Sequence, residues 1–160
     1  MLKINSSKLQ KGFTLIELLV VIGILAVLLA ITLIAINPAR QFAQANNTQR
    51  ASDVNAILNA VHQYLVDSKG VLPAGLVSGD VDKPISSAVG GTGEAFCSAL
   101  VTLYIAALPV DPQSGTPFTT CLVAGGGYAT GYTISVSAAD NRLTVKATTI
   151  ELGTQISVTR

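Results

Sequence analysis

The sequence predicts an α+β protein. A long N-terminal helix, of membrane-crossing character in its first half and amphipathic in its second, is expected to pack on a small antiparallel β-sheet head. Three observations lead there. Residues 13–36 form one apolar run in which Thr14, Glu17 and Thr32 are the only polar side chains. From Ala51 onward, apolar residues recur at three- and four-residue spacing, the period of a helix with one buried face. Further on, two short segments alternate apolar and polar residues, as half-buried strands do.

The elements follow in chain order. Residues 1–12 carry Lys3, Lys8 and Lys11 and no acid. The apolar run behind them would span roughly 36 Å as a helix, against about 30 Å for a hydrocarbon core. Arg40 and Arg50 follow only at a distance. The excess of positive charge ahead of the run therefore favours an N-terminus in the cytoplasm, with the rest of the chain across the membrane. A cleaved secretory signal has a shorter apolar region ending in small residues. This run is longer and leads into "INPARQFAQ", so it is expected to stay in the mature protein.

Pro38 marks the end of the apolar half and is expected to kink the helix there. Beyond it, Ala51, Val54, Ile57, Leu58, Val61, Tyr64 and Leu65 form the apolar stripe. Asp53, Asn55, Asn59, His62, Gln63 and Asp67 are expected on the wet side. "SKG" at Ser68 to Gly70 reads as the helix end. The expected organisation is thus 1–12 leader, 13–36 apolar helix half, 37–69 amphipathic helix half and 70–160 head.

In the head, residues 71–93 are rich in Gly, Ser and Pro and read as a long loop. Phe96, Ala99, Leu100, Leu103 and Tyr104 sit at helical spacing. "TTCLVA" suggests a short strand before a turn at Gly125 to Gly127. Tyr132, Ile134 and Val136 alternate with polar residues, "AADN" makes a turn, and Leu143, Val145 and Ala147 alternate again: a hairpin. Its apolar face is expected against the amphipathic helix.

Composition removes several classes of function. Of 160 residues, 49% are hydrophobic and 12% charged, with a formal charge of +1. Without the three leader lysines, seven basic residues face nine acidic ones, and no basic cluster remains. Strong nucleic-acid binding is therefore not expected. His62 is the single histidine; there is no metal pair, no clustered acid pair and no nucleophile motif, so an enzyme is not expected. Cys97 and Cys121 both fall in the part expected outside the cytoplasm. An even count there favours one disulfide over two buried thiols.

Lys11-Gly12-Phe13-Thr14-Leu15-Ile16-Glu17-Leu18-Leu19, read with its basic leader and apolar run, resembles the processing signature of the type IV pilin and pseudopilin superfamily. The resemblance implies cleavage between Gly12 and Phe13 by a membrane-embedded prepilin peptidase, and methylation of the Phe13 amine. It also implies that Glu17 serves assembly, by pairing with that amine when subunits pack as a homopolymer away from water. Gly23, Ala26 and Ala30 would let helices approach closely, or would face lipid. A subunit of this kind uses no cofactor. Its partners would be other copies of itself, the peptidase, the membrane before assembly, and the assembly platform of a pilus or secretion system.

Its location would be the cytoplasmic membrane as a single-pass protein, then an extracellular pilus or a periplasmic pseudopilus. A pilus filament for adhesion, motility or DNA uptake and the piston of type II secretion share this N-terminal logic and stay open. A looser resemblance covers Leu108 to Phe118, similar to the "LP-x-DP-x-x-G-x-P-aromatic" passage of major pseudopilins. It makes Asp111 a calcium candidate. Gln113 stands where those proteins usually have tryptophan, which favours the plainer reading that Asp111-Pro112 builds turns. Two further departures are Pro38, later than the family's helix proline, and Cys97 and Cys121, which are internal rather than near the C-terminus.

Overall fold

Helix α1 (Leu15–Ile36) starts where its sequence provides a cap. Thr14 is the N-cap, in extended conformation, and its hydroxyl accepts the Glu17 N–H at 3.3 Å. The computed structural model describes residues 12–116, 120–121 and 127–160. Residues 1–11, most of the leader expected over 1–12, lie outside them. So do Pro117, Phe118 and most of the expected strand at 119–124 and turn at 125–127.

The single kinked helix expected from residue 13 to 69 is instead two helices. α1 ends at Asn37, which adopts left-handed geometry (φ 47°), and α2 (Pro38–Asp67) begins at the next residue. The reason is local. Proline disfavours helical geometry in the residue before it, and asparagine tolerates the left-handed alternative better than most. Asn37 then caps α2, its carbonyl accepting the Arg40 N–H at 3.1 Å. Pro38 takes the first helical position, where it has no N–H to lose. The chain divides into two compact units, one ending at Gln41 and the other running Phe42–Arg160.

In the second unit, α2 ends in a Schellman turn. The Gly70 N–H bonds the Leu65 carbonyl at 2.7 Å and the Lys69 N–H that of Val66 at 3.3 Å. The left-handed seat belongs to Lys69 (φ 56°) rather than to the glycine alone. The sheet holds β1 (Lys83–Ser86), β2 (Ala129–Val136), β3 (Leu143–Ala147) and β4 (Ser157–Thr159) in that spatial order, each antiparallel to its neighbour. The expected hairpin is β2–β3. Tyr132 lies opposite Ala147, Ile134 opposite Val145 and Val136 opposite Leu143, and all six are buried. They share one core with Val54, Ile57, Leu58 and Val61 of α2, closed by Phe96 and Leu100 of α3 (Gly93–Leu100).

Three expectations are corrected. The stretch read as loop over residues 71–93 contains β1, an edge strand paired with β2. Four residues including a proline carry no readable alternation, and proline is tolerated on an edge. Asp53, expected on the wet face, is buried, and its carboxylate accepts the Tyr132 hydroxyl at 2.7 Å and the Gln49 amide at 2.7 Å. Helix α3 also stops at Leu100, leaving Leu103 and Tyr104 on the turn that follows.

Candidate functional site

The candidate site is the start of α1. Thr14 and Glu17 form a reciprocal capping box. One Glu17 oxygen accepts the Thr14 N–H at 2.9 Å and the Thr14 hydroxyl at 2.8 Å. The carboxylate is thereby turned back toward the helix start and held one residue from Phe13. Thr14 was given no role from sequence, although Thr-x-x-Glu ahead of an apolar run is a readable capping signal.

Phe13, Ile16, Glu17, Val20 and Val21 line one groove of about 380 Å³ along α1. The acid therefore stands on an apolar face, one turn in. None of the 22 residues of α1 is buried, and its mean hydropathy over an 18-residue window is 3.2. Gly12 is exposed, and a Cβ built on it would meet nothing within 4 Å. The described fold therefore puts no steric demand for glycine at that position.

The other residues singled out by sequence lie in the second unit. Cys97 and Cys121 form a disulfide, with Cα atoms 5.5 Å apart. Asp111 sits in a polar centre that the sequence reading did not find, built on Arg50. Arg50 is fully buried in α2. Its Nε meets Asp111 Oδ2 at 2.5 Å, its Nη1 bonds Glu151 and Asn47, and its Nη2 reaches Gln113 Oε1 at 3.2 Å. Asp111 Oδ1 also accepts the N–H groups of Gln113 and Ser114, at 2.9 and 2.8 Å. The turn-building reading of Asp111-Pro112 matches this geometry, and the carboxylate has an arginine for its counter-ion.

Burial works to raise the Asp111 pKa, but Arg50 and the two amides outweigh it and hold the carboxyl below the usual range. Glu151 is lowered chiefly by its bond to Arg50. Arg50 lies three residues before Asp53 and seven before Ile57. It thus extends the buried stripe by one turn, and that spacing was the signal available.

Taken together, a helix of membrane-crossing length and hydropathy, followed by a disulfide-linked α+β unit, has the build of a membrane-anchored protein. Comparison with known families sharpens that. Residues 7–33 match the prokaryotic N-terminal methylation motif, the leader of type IV pilins and pseudopilins. The chain carries this motif, which supports a type IV pilin-like or pseudopilin precursor. No curated protein and no solved structure matches the chain.

Proposed function

We propose that this chain is the structural subunit of a type IV pilus. In this reading prepilin peptidase cuts between Gly12 and Phe13, the Phe13 amine is methylated, and subunits polymerise through α1. The observation that carries the proposal is Glu17. It is one acid on a helix otherwise without charge and without a buried residue, four positions after the residue that would become the N-terminus.

Each charge alone would be costly among packed apolar helices, whereas the freed amine and the carboxylate satisfy one another. Gly12 supports the cleavage step, since none of the described residues around it calls for glycine. An outside reader such as a peptidase would supply that demand. The role is structural rather than enzymatic, with other copies of the chain, the peptidase and an assembly platform as partners.

The piston of type II secretion is the second reading, favoured by the pseudopilin-like passage from Leu108. Extracellular filaments seen by microscopy support the pilus. Loss of exported enzymes, with no extracellular filament, supports the piston. The processing step is tested by N-terminal mass spectrometry of membrane-extracted protein. A methylated Phe13 terminus is expected, and a chain still beginning at Met1 refutes the reading.

A further inference from the structure

The passage from Leu108 makes Asp111 a calcium candidate by resemblance, and the surroundings of Asp111 decide whether a divalent ion fits. Calcium takes roughly six to eight oxygen ligands, carboxylates and amide carbonyls among them. Such oxygens do converge here, but they converge on Arg50. Its guanidinium has five N–H donors, and each meets an oxygen. Nε donates to Asp111 Oδ2 at 2.5 Å, and Nη2 to Asp111 Oδ1 at 3.4 Å and Gln113 Oε1 at 3.2 Å. Nη1 donates to Glu151 Oε2 and, at 3.1 Å, to Asn47 Oδ1.

These donors leave a metal no free ligands. Asp111 is 2% exposed, and its Oδ1 accepts the Gln113 and Ser114 N–H groups besides Arg50. Glu151 Oε1 accepts the side-chain amides of Asn46 and Gln113, at 3.4 and 3.0 Å. Gln113, where pseudopilins usually carry tryptophan, thus ties Arg50 to Glu151 through its two ends. The turn also closes on its own main chain. The Asp111 N–H bonds the Thr130 carbonyl at 2.7 Å, and the Gly115 N–H bonds the Asp111 carbonyl at 3.1 Å. A second cation here would be repelled by the guanidinium. Calcium does not fit beside Arg50.

We infer that Arg50 is a built-in cation, carried on α2 and filling an oxygen cage that takes a divalent ion only when the guanidinium is removed. The cage oxygens are those of Asp111, Glu151, Asn47 and Gln113. A guanidinium keeps its proton in proteins. Being covalently tethered, it can be neither diluted away nor chelated. The head is therefore closed without calcium. This role belongs to the head alone, and failure of the filament reading would leave it standing.

Thermal unfolding of the full-length chain in detergent, native disulfide retained, tests it with calcium and magnesium as probes. The wild-type midpoint is expected to agree within about 1 °C between excess EGTA and millimolar calcium. An ion site filled about a hundredfold above its Kd would raise the midpoint by several degrees. A rise of that size in the wild type overturns the inference.

Arg50→Gln is expected to unfold earlier in EGTA and to recover at least about 4 °C in millimolar calcium. Magnesium, which gives up its waters reluctantly, should restore less. A folded Arg50→Gln that ignores calcium also overturns the inference, leaving Arg50 an ordinary ion-pair partner. Arg50→Lys is the second variant, because it keeps the charge while offering three donors for five. It is expected to be less stable than wild type yet equally indifferent to calcium. A calcium-dependent Arg50→Lys refutes the built-in cation, and with the wild type it decides the matter if Arg50→Gln does not fold.

Discussion

α1 and α2 are adjacent helices of 22 and 30 residues, yet the first buries none of its side chains and the second buries seven. The contrast is one of solvent. α1 is apolar on nearly every side, and none of its residues is buried among the described ones. α2 is apolar along one stripe and finishes its core within its own unit, against β2 and β3. Their charged residues differ in the same way. Among the described residues, Glu17 on α1 has Thr14 for a partner, whereas Arg50 on α2 is enclosed by Asp111, Glu151, Gln113 and Asn47.

Substitutions at the two charges should break this contrast in opposite directions. The largest effect is expected from Glu17→Leu. Filament incorporation should be lost, while cleavage, membrane insertion and head stability stay near wild type. Filament counts beside N-terminal mass spectra check this, and normal filaments would remove the assembly role of the acid. Arg50→Ala should do the reverse. Leaving Asp111 buried and unpaired is expected to cost about 3–5 kcal/mol of head stability, read as a lowered midpoint in denaturant unfolding of the full chain in detergent.

Cys97→Ser sharpens the same division. Opening a loop with a sequence separation of 24 residues should cost about 3 kcal/mol in the chain-entropy model. It should destabilise the second unit and leave processing at Gly12 untouched. Cleavage that fails together with folding would show that the two units are not independent.

The smallest effect is expected from pH. The folded pKa values of Asp111 and Glu151 lie below their ordinary values of 3.8 and 4.5. Their contribution is therefore full above those values and drains away as pH falls through the lower folded ones. Head stability should be level from neutral to about pH 5 and decline below it. In Arg50→Ala that acid slope should flatten. A slope of equal steepness would mean that other carboxylates set it.

How far each region was legible from residues alone follows from the range of its interactions. The α1 helix and the place of its acid could be read in the sequence, because hydropathy is a property of neighbours in the chain. The β2–β3 hairpin was legible too, since its alternating residues are joined by a short turn. Even the exception at Asn37, where one helix became two, follows from the proline beside it.

The polar centre was hidden for the opposite reason. Arg50 meets Asp111 and Glu151, which are 61 and 101 residues away in sequence. A lone arginine beside an apolar stripe looks solvated until the chain has closed around it. Asp53 went wrong in the same way, becoming a buried acceptor only once Tyr132 was brought beside it, 79 residues on. Strand β1, too short to show a period, exists because β2 offers it an edge. Residue chemistry prescribed the apolar helix α1, while the way the head encloses its charges depended on contacts between distant parts of the chain.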